Sequence, residues 1–261
     1  METFAAIGLL AGLIVSSWQG FKDPPWEGFS TLKFVRSPLI GAAAGAAAFW
    51  LDRETRIIQV DNLGLLMLAA LATERLAGEI YKGFLRPGFH PEYARLFERA
   101  GFPIHRSGVR AALGLVFLAG GLQLYWWLGR FVEAVREPVL PYGLAALVVG
   151  GVIGTIVAAG GALKDSQLEG FKPKKFVRSP MVSILGAAVL LPLSADPLLV
   201  ALATIGAERV GVELYKTFLT RQVRGIHAGR APRYPHWFGR RWLFFMSFAA
   251  GVGACAVLSV R

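Results

Sequence analysis

The sequence predicts an all-α integral membrane protein of about eight transmembrane helices, built as two parallel tandem repeats of four about a pseudo-twofold axis along the membrane normal. Three observations predict it. Of the 261 residues, 54% are apolar and only 17% charged, against about 25% charged in soluble domains. The apolar residues fall in long blocks instead of the stripes a water-facing helix needs. Finally, two stretches of the chain recur in the same order.

In chain order the apolar blocks are 3–19, 38–51, 62–81, 109–129, 139–163, 180–193, 197–215 and 241–260. A bilayer core about 30 Å thick takes about 20 helical residues, so six blocks are comfortable spans while 38–51 and 180–193 are short. The first block is expected to remain as a helix, because Met1-Glu2-Thr3 lacks the basic start of a signal peptide and no small-residue cleavage motif follows Trp18. Cys255, the only cysteine, excludes an intrachain disulfide. The four histidines, His90, His105, His227 and His236, lie in basic segments without metal-ligand spacing.

With all eight blocks crossing, 21 Lys and Arg lie in the odd-numbered connections and 5 on the other side, leaving Arg75 and Arg209 within spans. That asymmetry predicts cytoplasmic odd connections and extracytoplasmic termini, in a bacterial or archaeal cytoplasmic membrane. The net charge of +11 is thereby assigned to topology and not to nucleic acid.

The duplication is explicit. EGFSTLKFVRSP at 27–38 returns as EGFKPKKFVRSP at 169–180, and ERLAGEIYKGFL at 74–85 as ERVGVELYKTFL at 208–219, with offsets of 142 and 134. Lys22-Asp23 pairs with Lys164-Asp165, and Gly8 and Gly12 with Gly150 and Gly154. The units are 1–136 and 137–261. Gly8xxxGly12 and Gly41xxxGly45, the latter answered by Ser183 and Ala187, suit close helix packing.

In the first motif, Ser37-Pro38 and Ser179-Pro180 have the form of an N-cap and first helical residue. Lys33 and Arg36, or Lys175 and Arg178, then stand just before a free helix N-terminus, an arrangement suited to phosphate or carboxylate; the alternative is lysines and arginines reaching to lipid phosphates. Asp23 and Glu27, with Asp165 and Glu169, have spacing that suits Mg2+ beside a bound phosphate, or salt bridges with the nearby cations.

The second motif puts ionisable groups inside the third and seventh blocks. Glu74, Arg75, Glu79, Tyr81 and Lys82, and likewise Glu208, Arg209, Glu213, Tyr215 and Lys216, share one helical face that must avoid lipid. Arg75 with Glu79, and Arg209 with Glu213, have i,i+4 pairing distance. Glu74 and Glu208 are then left to exchange protons, or to lock the two halves together.

These readings lead to a transporter or permeation protein for an anionic solute or lipid headgroup at the repeat interface, with proton coupling through Glu74 and Glu208. The short blocks at matching positions point to the same region. The rivals are an intramembrane enzyme acting on a lipid or polyprenyl phosphate at the cytoplasmic leaflet, and a non-catalytic subunit of a larger membrane complex. No nucleophile, nucleotide or zinc motif favours the enzyme. Membrane lipids are the expected partners, with a homo-oligomer or membrane complex left open.

Overall fold

The computed structural model describes residues 1–86, 91–101, 107–137, 140–219 and 231–260, with the side chains of 91, 92, 168 and 169 excepted. Every regular element among them is helical. Six helices are long and apolar enough to cross a membrane: Glu2–Lys22, Thr31–Thr55, Ser107–Arg136, Tyr142–Gln167, Pro173–Leu193 and Trp237–Val260. In chain order, α1 is Glu2–Lys22, α2 Pro24–Glu27, α3 Thr31–Trp50, α4 Leu63–Ile80, α5 Pro91–Arg99 and α6 Ser107–Arg136. They are followed by α7 Tyr142–Glu169, α8 Pro173–Leu190, α9 Pro197–Leu214, α10 Trp237–Arg240 and α11 Trp242–Val260.

Among the described residues, three helices end in a π-helical turn. α3 continues through a π-helical turn at Leu51–Thr55, α4 through one at Tyr81–Leu85 and α9 through one at Tyr215–Leu219.

The ionisable helices α4 and α9 form the centre. α4 packs on α1, α3, α6, α9 and α11, and α9 packs on α4, α6, α7 and α8. Three charged residues on each helix make lipid contact unfavourable, while the apolar positions of α4 and α9 fill the interior: Leu65, Leu66, Met67, Leu71, Leu199 and Val200 are all at most 1% exposed. Gly206 lets the pair approach, since a Cβ there would lie 2.0 Å from the Leu68 carbonyl oxygen.

α1 packs on α3, and α7 on α8. The glycines expected at close contacts are at them. A Cβ on Gly8 would lie 2.0 Å from the Gly41 carbonyl oxygen and one on Gly12 2.2 Å from that of Ser37. At Gly150 and Gly154 the intruded atoms are the Cα atoms of Ile184 and Pro180, at 2.3 and 2.4 Å.

The two blocks read as short are not short. α3 begins at Thr31, capped by Ser30, whose hydroxyl accepts from the Lys33 N–H at 3.4 Å, and α8 begins at Pro173. Pro38 and Pro180 therefore sit inside helices, and Ser37 and Ser179 are not N-caps. Proline inside a helix orphans the carbonyl four residues earlier. For Pro38 that is Phe34, and the Ser16 hydroxyl of α1 donates to its carbonyl oxygen. Ordering by a neighbouring helix is how membrane proteins retain such prolines.

At the opposite end from the Lys-rich motifs, the segment after α3 is tied to the start of α9. The Gln59 N–H donates to Asp196 at 2.7 Å and the Ala195 N–H to Asp61 at 2.8 Å. Arg136 donates to the carbonyls of Leu191, Ser194 and Ala195. Asp196 also caps α9, accepting from the Leu199 N–H at 2.6 Å.

Burial raises the Asp196 carboxyl above its ordinary range, the Asp61 charge adds to that, and the backbone donors oppose it. A raised carboxyl holds its proton in the fold where the unfolded chain has released it, so its contribution to stability falls as pH rises from about 4 through the raised value. Asp196→Asn, which preserves a capping oxygen, is expected to remove this slope. The check is the difference in melting temperature between wild type and variant across acidic pH.

Candidate functional site

The residues of the second duplicated motif meet where α4 passes α9. Arg209 donates to Glu74 at 2.6 Å, and Arg75 donates to Glu208 at 2.7 Å. Each carboxylate is 1% exposed. Glu74 also accepts from the Ser37 hydroxyl at 2.7 Å, so both its oxygens are engaged by protein. These reciprocal pairs join α4 to α9 and correct one expectation: Arg75 and Arg209 pair across the helix interface instead of with Glu79 and Glu213. The cause is geometric. A pair within one helix leaves the facing helix's carboxylate buried without a cation, which costs several kcal/mol, whereas reciprocal pairing satisfies all four groups.

One helical turn and a half further on, Glu79 and Glu213 are served from the other half as well. Glu79 receives Lys164 at 3.0 Å, Lys82 at 3.3 Å and the Tyr93 hydroxyl at 2.5 Å. Glu213 receives Lys22 at 2.5 Å, the Trp18 indole N–H at 2.9 Å and Lys216 at 3.6 Å. Lys22 and Lys164 hold corresponding places in the repeated sequence and carried a visible signal, the shared Lys-Asp pair. Trp18 and Tyr93 are not repeated, so comparing the chain with itself does not find them.

Arg36 and Arg178 lie in the second turns of α3 and α8, not before them. Their guanidinium groups sit 5.0 and 5.8 Å from the ring centres of Tyr81 and Tyr215, a cation–π geometry. Four residues expected to share a site thus meet in two matching pairs. The Nε of each arginine is buried without a hydrogen-bond partner among the described residues.

Lys33 pairs with Glu27 at 2.7 Å, the salt-bridge alternative to a metal role for Glu27. Asp23 lies at the N-cap position of α2, Asp165 borders the cavity described below, and the Glu169 side chain lies outside the described residues. No cluster of three or more metal-ligating side chains occurs among the described residues. His90, His105 and His227 also lie outside them; the His236 ring is 5.9 Å from that of Trp237.

Between α1, α4, α7, α8 and α9 lies a cavity of about 310 Å3. Its deep wall is apolar, with Ile14, Leu71, Val157 and Phe248, and Arg75, Glu208 and Arg209 border it there. Nearer the Lys-rich end it is bordered by Glu79, Glu213, Lys22, Lys82, Lys164, Lys216, Lys172, Lys175, Arg178 and Ser179. Nine cationic side chains line it against four carboxylates, counted among the described residues. Glu74 is not among those four. A concave, partly apolar site with a few convergent polar groups has the form of a small-ligand pocket, and here the cations outnumber the carboxylates. Comparison with protein-family models, curated proteins and solved structures found no match.

Proposed function

We propose that the chain is a membrane transporter or permeation protein for an anionic, phosphate- or carboxylate-bearing solute or headgroup, with its site in the cavity between the halves. The observation that carries this reading is the cavity's excess of cations, in a fold whose long helices are apolar enough for a bilayer. A guanidinium and several ammonium groups around a 310 Å3 space suit an oxyanion of a few heavy atoms.

The same reading takes α4 and α9 as two further crossings, giving eight, and takes 1–136 and 137–261 as parallel repeats about an axis along the membrane normal. Four ion pairs support it, because each joins one half to the other: Glu74 with Arg209, Arg75 with Glu208, Glu79 with Lys164 and Glu213 with Lys22. Exchanging the halves converts the first pair into the second and the third into the fourth. The charge asymmetry of the connections then sets the Lys-rich mouth of the cavity on the cytoplasmic side and the termini outside. Helices with three ionisable groups suit a path lined by protein and water.

The test is flux. Protein reconstituted in phosphatidylcholine vesicles is expected to move radiolabelled phosphate or glycerol phosphate faster than empty vesicles, and to leave a cation such as choline unmoved. Equal rates for all three solutes with and without protein would sink the proposal.

A further inference from the structure

We infer that the two copies of the first motif have divided their labour: the anion site is built on the second copy, around Arg178, while the first copy is a closed structural joint. This rests on the proposed anion-binding role of the cavity and names the half that performs it. The sequence alone makes the copies equivalent, whereas their surroundings differ.

From the second copy, Lys164, Gly170, Phe171, Lys175, Arg178 and Ser179 all border the cavity, whereas from the first copy only Lys22 does. The counterparts Asp23, Gly28, Phe29 and Lys33 line a separate recess of about 30 Å3, roughly one water-sized space. Arg36 borders neither.

The difference arises from what covers each Gly-Phe loop. Over the first, the Tyr234 N–H donates to the Pro25 carbonyl at 2.8 Å, and a Cβ on Gly28 would lie 3.3 Å from the Tyr234 ring. Phe29 stands 5.5 Å from Trp237 and 5.4 Å, stacked, from Phe244. Over the second, a Cβ on Gly170 would meet nothing within 4 Å among the described residues, and Phe171 is 60% exposed against 39% for Phe29. The loops themselves match: Gly28 and Gly170 have φ of 76° and 72°, and Phe29–Phe34 and Phe171–Phe176 have the same ring separation of 5.8 Å. Packing, not local conformation, distinguishes them. α11 closes on α1 beside the first loop, whereas α6 spends its main contact on α9.

Arg178 is consequently the arginine of the repeated motif that borders the cavity, whereas its buried Nε, without a partner among the described residues, and its place beside a tyrosine ring are shared with Arg36. The ligand chemistry is a phosphate group, supplied by a free anion or by a lipid headgroup.

The experiment measures binding of inorganic phosphate and of a short-chain phosphatidate to full-length protein in phosphatidylcholine nanodiscs, with melting temperatures recorded for each variant. Arg178→Gln is expected to raise the Kd about tenfold to a hundredfold, the loss of one charged contact, and Arg36→Gln to leave it within about twofold of wild type. Should Arg178→Gln melt early, Arg178→Lys keeps the charge and decides instead: it weakens binding severalfold, and Arg36→Lys does not. A pattern seen with both probes assigns a free anion, and a pattern seen with phosphatidate alone assigns a headgroup. Equal losses at Arg36 and Arg178, or binding unaffected by any Arg178 variant, overturn the division of labour while phosphate binding by wild type stands. Wild type that binds neither probe overturns the anion-binding role itself.

Discussion

Glu74→Ala and Glu208→Ala should each destabilise the protein by about 3–5 kcal/mol, because each leaves an arginine at the α4–α9 contact without its carboxylate. For Glu74 the Ser37 hydroxyl also loses its acceptor, which adds about 1 kcal/mol. The double replacement Glu74→Leu with Arg209→Met removes both charges and should cost clearly less than the sum of the two single changes. Unfolding in detergent, followed by helical circular dichroism, provides the numbers. Additive single and double effects would show that the 2.6 Å pair is not coupled. By the same argument the reciprocal pair, Arg75 with Glu208, behaves alike.

Gly12→Leu is the second large effect. A side chain at Gly12 must occupy space already held by backbone, with the Ser37 carbonyl oxygen 2.2 Å from the would-be Cβ and the Pro38 Cα 2.5 Å away. Backbone does not yield as the end of a flexible side chain does, so α1 and α3 must separate. The separation also breaks the Ser16 hydrogen bond to the Phe34 carbonyl. The expected cost is about 3 kcal/mol or more, read as a loss of folded yield and melting temperature. Gly151→Leu, one residue beyond Gly150 on α7, where a Cβ would meet nothing within 4 Å among the described residues, serves as the control and should be nearly silent.

The all-helical fold and its long apolar helices were legible because they rest on composition. Apolar blocks mark helices wherever helix propensity and lipid compatibility agree, and the small residues of α1 marked its close packing. The boundaries of α3 and α8 were misread because proline is normally a helix-start signal: Ser37-Pro38 has the local chemistry of a cap, and the bond that satisfies the Phe34 carbonyl freed by Pro38 comes from the Ser16 hydroxyl of another helix. The charged residues of α4 and α9 were found, but not their partners. An i,i+4 spacing can be seen within a sequence, whereas a pairing across 133 or 135 residues depends on which faces the tertiary fold brings together. The inequality of the two loops was likewise invisible, since it comes from Tyr234, Trp237 and Phe244, which belong to neither repeated motif.

The crosswise ion pairs also set a schedule for biogenesis. Glu74 and Arg75 leave the ribosome well before Arg209 and Glu208, which follow by 135 and 133 residues. At a synthesis rate of about 5–20 residues per second, that interval is on the order of 10 s. Throughout it, Lys22, Glu74, Arg75 and Glu79 of the newly made first half wait for second-half partners that have not yet been translated, and an unpaired charge costs about 2.5–3.5 kcal/mol at the centre of a bilayer. On the proposed eight-crossing topology, the nascent first half therefore needs polar shelter until the second half has been made.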